Sequence, residues 1–225
     1  MKKDTNLHVR EYGGILAVPE RKVLLWLARH MPGWVNSDHL TLLGLTSMIL
    51  AGVSFWLAGS YSPALIAVVV FLILNWFGDS LDGTLARYRN QQRPKYGYYV
   101  DHVIDLIGTT ALLVGLSLSG YMSPIIAVGM LGAFLLVEAE VYLATHVRQV
   151  FRLGMFGFGP TELRVLLATG ALYILHNPWV HVGGYGPFLL FDVGGVIAII
   201  GMVLVMLYSA VRNTRALYKA EPIRA

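Results

Sequence analysis

The chain has 225 residues, of which 56% are hydrophobic and only 13% are charged, and its formal net charge is +4. This composition is too apolar for one soluble domain of this size, so we expect the lipid bilayer to be its solvent and no nucleic acid to be its partner. The absence of cysteine excludes disulfide bonds and metal sites built on thiolates.

The predicted elements form a single all-α integral membrane domain over residues 1–225, with an N-terminal helix followed by six transmembrane helices. Each predicted span is long enough, or nearly so, to cross about 30 Å of hydrocarbon, which requires roughly 20 residues. The fifth span is the shortest of the six. The predicted spans are 39–59, 63–87, 97–119, 123–146, 161–177 and 188–211.

The segment 15–34 precedes the first span and mixes apolar with charged side chains. Pro19 stands where a helix readily begins, and Pro32 and Gly33 stand where it would end. This mixture predicts a cytoplasmic helix that lies in the membrane interface. The alternative is an ordinary segment beside the membrane whose basic side chains reach towards water.

All 17 lysine and arginine residues fall on one side of the predicted arrangement. They precede the first span, follow the last span, or lie in or beside the turns after spans two and four, whereas the loops near 60–62, 119–123 and 178–187 contain none. By the positive-inside rule, this multi-pass protein has both termini and those two turns in the cytoplasm.

Four aspartates stand at helical spacing within this apolar sequence: Asp79 and Asp82 near the end of the second span, and Asp101 and Asp105 at the start of the third. A charged aspartate within a bilayer costs about 2.5–3.5 kcal/mol, so four of them indicate a functional site. A helix turns about 100° per residue, which puts each pair on one helical face near the cytoplasmic side. Oxygen ligands alone predict a hard divalent cation, Mg²⁺ or Mn²⁺.

Small residues accompany these acids. Gly83 and Ala86 share the helical face of Asp79 and Asp82 and leave space for a bulky ligand such as a nucleotide. Their structural alternative is close packing between helices. His102 faces another side of its helix, where packing or a hydrogen bond is expected rather than metal ligation.

The second and third spans together carry a pattern that resembles the signature of the CDP-alcohol phosphotransferases, which are integral-membrane enzymes of phospholipid synthesis. The pattern reads Asp79-x2-Asp82-Gly83-x2-Ala86-Arg87-x9-Gly97-x3-Asp101-x3-Asp105. It departs from the family in one place, because nine residues separate Arg87 from Gly97 where the family usually has eight. The resemblance implies six transmembrane helices behind a cytoplasmic interfacial helix, with the active site on the cytoplasmic side.

The resemblance also implies a role for each signature residue. Asp79, Asp82 and Asp101 would bind divalent metal, two ions of Mg²⁺ or Mn²⁺, and Asp105 would be the general base while also lying near a metal. The residues that would line the nucleotide pocket are Gly83, Ala86, Arg87 and Gly97. The alternative for Arg87 is that it merely ends a transmembrane helix by reaching towards water.

A second group of polar residues lies in the fourth predicted span and the loop after it. Acidic residues within a span are candidates for function, and their arrangement resembles the choline and ethanolamine phosphotransferase branch of the family, with departures at Phe158 and Leu163. The alternative is that Thr161 caps the fifth span, with an acidic residue in its first turn. The predicted acceptor-side residues are Glu138, Glu140, His146 and Glu162.

The resemblance implies an enzyme that transfers a phosphoryl-alcohol group from a CDP-alcohol donor to a hydroxyl acceptor and releases CMP. We favour a CDP-amino-alcohol that reacts with a diradylglycerol. The alternative is CDP-diacylglycerol reacting with a small polar alcohol such as inositol phosphate, glycerol phosphate or serine. A cation or proton transporter is a different-class alternative, although its site would be expected at mid-membrane between repeats. The sequence is also compatible with a homodimer.

Overall fold

The computed structural model describes residues 11–12, 16–148, 152–153 and 159–221. Within these residues the chain forms seven helices and two small two-stranded sheets. The helices are α1 (Ala17–His30), α2 (Ser37–Ala58), α3 (Ala64–Tyr88), α4 (Pro94–Leu118), α5 (Pro124–Arg148), α6 (Pro160–Ile174) and α7 (Leu190–Ala220). The strands are β1 (Glu11–Tyr12), which pairs in parallel with β2 (Arg152–Leu153), and β3 (Trp179–Val182), which pairs antiparallel with β4 (Tyr185–Leu189).

Five of these helices, namely α2, α3, α4, α5 and α7, are long and apolar enough to cross a membrane. The prediction of a multi-pass helical membrane protein is confirmed, with five helices of spanning length in the described residues where six were predicted. The difference lies at α6, which has 15 residues and a length of about 22 Å, short of the roughly 30 Å of hydrocarbon. The predicted fifth span ran to residue 177, but the helix ends at Ile174.

Large apolar side chains cover the outward faces of the helices. Leu42, Ile66, Val128 and Ile197 are each more than half exposed, and they come from four different helices. Soluble proteins rarely expose apolar surface on this scale. The hydrocarbon of a bilayer therefore provides the environment that these faces require.

Helices α2, α3 and α4 pack with their backbones in close contact. A Cβ added to Gly115 would lie 1.9 Å from the carbonyl oxygen of Gly52, and one added to Gly78 would lie 2.6 Å from the backbone nitrogen of Gly44. Only glycine allows such an approach, which is typical of helix packing in membranes. Gly44 also backs onto Asp79, because its added Cβ would lie 3.3 Å from the Asp79 backbone nitrogen. These backbone contacts therefore fix the depth and rotation of α3 next to Asp79.

Helix α1 has two distinct faces. Leu24 and Ala28 are buried in a cluster with Leu81 and Leu85 of α3, whereas Trp26 is 59% exposed on another face. A helix with one packed face and one exposed aromatic face suits a membrane interface. The helix occupies residues 17–30 of the predicted 15–34, and residue 15 lies outside the described residues. Its position relative to a membrane stays a prediction.

The two ends of the helix bundle differ in composition. We call the end that carries α1, the α3–α4 turn (89–93) and the start of α6 the charged end. The opposite end, with β3 and β4, is the hairpin end, and its connections at 59–63, 119–123 and 175–189 contain no lysine or arginine.

The hairpin and the length of α7 were not predicted. The β3–β4 turn is made by Gly183 and Gly184, both with positive φ (58° and 84°), a conformation that glycine adopts readily and that tight hairpin turns require. Helix α7 continues to Ala220, nine residues beyond the predicted end of the last span. This extension contains lysine and arginine, which favour helix without favouring the membrane.

Candidate active site

The charged end brings four carboxylates from two helices into one region. Asp82 lies six residues before the end of α3, about 9 Å along the helix, and Asp101 lies seven residues after the start of α4, about 10 Å along. Asp79 and Asp101 both act electrostatically on Asp82, and the same two residues act on Asp105. The acidic faces of α3 and α4 therefore meet at this end of the bundle.

A small cleft opens beside these carboxylates between α2, α3 and α4. Asp79 and Asp105 form part of its wall, and Gly44 and Gly108 widen it because they have no side chains. The remaining wall is mostly apolar, so the carboxylates are the charged groups that a ligand in the cleft would meet. The other lining residues are Leu45, Met48, Asn75, Ile104 and Thr109.

Asp82 is held by a neighbour on α2. Its Oδ2 lies 2.6 Å from the hydroxyl of Thr41, which is also 2.9 Å from the carbonyl oxygen of Ser37, and its Oδ1 accepts from the backbone N–H of Gly83. The N-cap of α2 is Asn36, whose side chain accepts from the backbone N–H of His39, the third residue of the helix.

Asp79 is paired with Arg164, which comes from the second turn of α6. The guanidinium Nη2 lies 2.5 Å from Asp79 Oδ2, and its Nε donates to Asn75 Oδ1 at 2.6 Å. The two charged side chains are only 11% and 17% exposed. Asn75 is itself fixed, because its amide donates to the carbonyl oxygen of Gly44 at 2.9 Å. A basic residue 85 positions away in sequence thus reaches the acidic group.

The donor set has the chemistry of a site for a hard divalent cation, since all four predicted ligands are carboxylates. In the described part of the chain, no three acidic or histidine side chains converge closely enough to enclose an ion. One oxygen of Asp79 faces Arg164 and one oxygen of Asp82 faces Thr41. Metal binding at these carboxylates would use their other oxygens or exchange these partners.

The predicted nucleotide-side residues lie along the outer part of the same region. Arg87 is exposed and donates to Thr84, and its guanidinium lies across Gly83, where an added Cβ would be 3.2 Å from Nη1. Ala86 is partly buried, and Gly97 is exposed with open space around its Cα. Helix α4 begins at Pro94, so Gly97 stands within the first turn of that helix.

The four predicted acceptor-side residues do not form one group. Glu138 interacts with Asp105 across the α4–α5 contact and with Tyr142 on its own helix. Glu140 points instead towards α7, where its Oε1 accepts from Asn213 at 2.7 Å. His146 is exposed near the end of α5. Glu138 therefore faces the aspartates, whereas Glu140 faces α7.

Glu162, the fourth predicted acceptor-side residue, is buried at the start of α6. Its Oε1 accepts from the backbone N–H of Leu16 at 2.9 Å, and its Oε2 accepts from the N–H of Gly159 at 3.0 Å. These contacts cap α6 and attach it to the segment before α1, which is the structural alternative noted for this residue. Thr161 does not cap the helix, because its hydroxyl donates to Glu20 of α1 at 2.8 Å. Phe158 lies outside the described residues.

Sequence reasoning missed three contributors to the site: Arg164, Asn75 and the aromatic group around His102. The His102 ring lies 4.1 Å from the Tyr98 ring and 5.3 Å from the Tyr142 ring, measured between centroids. The four-residue spacing of Tyr98 and His102 was visible in the sequence. The sequence did not show that α4 packs against α5 or that α6 approaches α3.

The fold and the site define a helical membrane protein with a carboxylate cluster near one end of its bundle. The family profile described as CDP-alcohol phosphatidyltransferase matches residues 34–210. This chain therefore belongs to the CDP-alcohol phosphatidyltransferase family, and the resemblance drawn from the aspartate signature is confirmed.

Two individual proteins are similar to this chain. Archaetidylinositol phosphate synthase of Pyrococcus horikoshii is 30% identical over 86 residues, which are 38% of this chain and 43% of that protein. The match thus covers less than half of the relative's length. The crystal structure of Mycobacterium tuberculosis phosphatidylinositol phosphate synthase with CDP-DAG bound is similar with a TM-score of 0.49 at 19% identity, covering 88% of this chain and 92% of that chain.

Family membership bears on two predictions. The CDP-alcohol phosphatidyltransferases are phosphotransferases of phospholipid biosynthesis, which is the class that the signature predicted. The family generally uses divalent metal ions, which agrees with a donor set made of carboxylates.

Proposed function

We propose that this protein transfers a phosphatidyl-type group from a CDP-linked lipid, such as CDP-diacylglycerol, to a hydroxyl of a small polar alcohol and releases CMP. The observation that carries the proposal is the meeting of Asp79, Asp82, Asp101 and Asp105 at the charged end, within a chain of this family. The family match gives no support to the transporter alternative.

The choice of substrates rests on the acceptor side and on the named relative. The Pyrococcus protein is called an archaetidylinositol phosphate synthase, a name that indicates a lipid-linked inositol phosphate as its product. The predicted acceptor-side residues favoured a CDP-amino-alcohol and a diradylglycerol. They now give less support to those substrates, because Glu140 contacts α7 and Glu162 caps α6. A small polar acceptor such as inositol phosphate, glycerol phosphate or serine is therefore our preferred substrate class.

The proposed chemistry assigns each group a task. Asp79, Asp82 and Asp101 would hold Mg²⁺ or Mn²⁺, two ions in the family pattern, with Asp105 close by. Bound cations would neutralise the pyrophosphate and the charge on the departing CMP. Asp105 would take the proton of the acceptor hydroxyl as its oxygen bonds to phosphorus, while the bond from phosphorus to the CMP oxygen breaks. Gly83, Ala86, Arg87 and Gly97 would contact the nucleotide.

The acceptor would enter from the α4–α5 side. Glu138 acts electrostatically on Asp105, and Tyr98 and Thr145 face each other nearby. Carboxylate and hydroxyl groups can bind the several hydroxyls of a polar alcohol by hydrogen bonds. His146 lies one residue beyond Thr145 at the exposed end of this region.

The proposed orientation places the charged end, both termini and the active site in the cytoplasm. The supporting observation is the distribution of lysine and arginine, which the hairpin-end connections lack. In this arrangement α1 lies in the interface, and α6 is the sixth and shortest membrane segment. A homodimer stays a prediction.

The test is CMP release by the purified chain with Mg²⁺ or Mn²⁺ and a matched substrate panel. One arm supplies CDP-diacylglycerol with inositol phosphate, glycerol phosphate or serine, and the other supplies CDP-choline or CDP-ethanolamine with diacylglycerol. We expect CMP only in the first arm. Release only in the second arm would reverse the substrate assignment, and no release in either arm, from a protein that stays folded, would contradict the proposal.

A further inference from the structure

Arg164 occupies an unusual place for a basic side chain. It ion-pairs with Asp79 at 2.5 Å, and it also attracts Asp105 electrostatically. Both carboxylates line the cleft between α2, α3 and α4. One guanidinium thus acts on two of the four acidic groups that we assign to metal binding and catalysis.

The contact is built into the protein rather than being a chance surface pair. Arg164 is 11% exposed, and Asn75, which fixes its Nε, is buried and anchored to the backbone of α2. By contrast, Arg93 pairs with Asp38 at the α3–α4 turn with 49% and 46% of the two side chains exposed. Exposed pairs of that kind contribute little, whereas a buried partner cannot be removed without leaving an uncompensated charge.

The pairing is also incomplete. In the described part of the structure, Nη1 of Arg164 is buried without a hydrogen-bond partner, although Nη2 and Nε both have one. The other two guanidinium nitrogens both bind α3, with Nε on Asn75 and Nη2 on the carboxylate of Asp79. The charge of Arg164 is therefore held directly against the acidic group.

Charge balance has opposite effects on the empty and the metal-bound site. Without metal, the positive charge of Arg164 relieves repulsion among carboxylates that lie in a medium of low dielectric. With metal bound, the positive charge of Arg164 would repel the divalent cation. The guanidinium would also compete with the cation for the carboxylate of Asp79. Arg164 should stabilise the first state and disfavour the second.

We propose that Arg164 is an internal counter-ion of the acidic site, which holds the carboxylates together without metal and raises the concentration of divalent cation needed to fill the site. This inference rests on the proposed function, because it takes the carboxylates to be metal ligands. It assigns Arg164 the role of a positioning residue that tunes metal affinity from α6, outside the two helices that carry the aspartates.

The experiment measures metal binding to the full purified chain without substrate. Mn²⁺ affinity is obtained by electron paramagnetic resonance, and the unfolding midpoint is recorded in EDTA and in rising MgCl₂. For Arg164→Gln we expect Mn²⁺ to bind on the order of tenfold more tightly than to the wild type. We also expect a lower midpoint in EDTA and a larger rise with Mg²⁺.

Two further variants complete the design. Arg93→Gln removes the same charge from an exposed pair and should match the wild type, while Asn75→Ala loosens the hold on Arg164 and should change affinity in the direction of Arg164→Gln. If Arg164→Gln does not fold, the Mn²⁺ affinity of Asn75→Ala relative to the wild type tests the proposal instead. Equal or weaker Mn²⁺ binding in the deciding variant, or an equal gain in Arg93→Gln, overturns the proposal.

The outcomes also separate this inference from the proposed function. A wild-type protein that releases CMP with Mn²⁺, together with unchanged affinity in Arg164→Gln, would overturn only the counter-ion role. Failure of every variant and the wild type to bind Mn²⁺ would overturn both.

Discussion

The charged end and the hairpin end of the bundle use polar residues in different ways. At the charged end, polar side chains pair across helices: Glu20 of α1 accepts from Trp76 of α3 and from Thr161 of α6. At the hairpin end, the example is a helix cap: Asp192 of α7 accepts from the N–H and the hydroxyl of Ser123, the residue before α5. Networks of charged groups cost stability and indicate function, whereas caps only complete helix ends.

The exposed residues follow the same division. The hairpin presents Trp179, Tyr185 and Phe188 to the surroundings, and its strands contain no lysine or arginine. Tryptophan and tyrosine are enriched where a membrane meets water. Under the proposed function, chemistry would be concentrated at the charged end, and the hairpin end would serve to anchor the protein in the membrane. Each prediction below tests that division.

The largest effect is expected from the three predicted metal ligands. Replacing Asp79, Asp82 or Asp101 singly by Asn should abolish transfer and metal-dependent donor binding, because each change removes a charged ligand from a site with few ligands. CMP release and donor binding measured with and without Mg²⁺ provide the check. A variant that keeps both properties at wild-type levels would remove its residue from the site.

Asp105→Asn should separate chemistry from binding. Asn is close in size to Asp but accepts no proton, so the chemical step should slow by about 10²- to 10⁴-fold while the donor still binds with metal. The measurement pairs donor affinity with a single-turnover rate. Joint loss of both would make Asp105 chiefly a metal ligand, and no change in either would move the base to another residue.

Glu138 and Glu140 form a matched pair two residues apart on α5. Glu138→Gln should reduce transfer roughly tenfold, equivalent to about 1.4 kcal/mol of transition-state stabilisation, because Glu138 faces Asp105. Glu140→Gln should leave transfer unchanged and lower the free energy of unfolding by about 1 kcal/mol or less, since the new amide oxygen can still accept from Asn213. Rates and unfolding midpoints of both variants decide between the roles, and a larger loss of transfer in Glu140→Gln would reverse the assignment.

The smallest effect on transfer is expected at the hairpin end. Asp192→Ala should destabilise the protein by about 1–3 kcal/mol, because two donors of Ser123 lose their acceptor, while the folded enzyme keeps its rate and substrate affinities. Ser123→Ala removes only the hydroxyl and should cost less. Thermal unfolding and steady-state kinetics test both statements, and an altered KM in either variant would break the division between the two ends.

Several features of the fold and site were readable in the sequence because they depend on neighbours along one helix. The three- and four-residue spacings of Asp79 with Asp82 and of Asp101 with Asp105 place each pair on one face of any helix. Long apolar stretches likewise predict helices of spanning length wherever they occur.

Other features depended on how the helices lie against one another. The approach of Arg164 to Asp79 and of Thr41 to Asp82 requires a particular depth and rotation of three helices, which the close contact of Gly44 with Gly78 helps to set. The predicted acceptor-side residues separate for the same reason. A step of two residues along α5 turns Glu138 towards α4 and Glu140 towards α7. Sequence periodicity defines the faces of a helix, but only the packing of the whole bundle decides which neighbour each face meets, because those contacts join residues far apart in the chain.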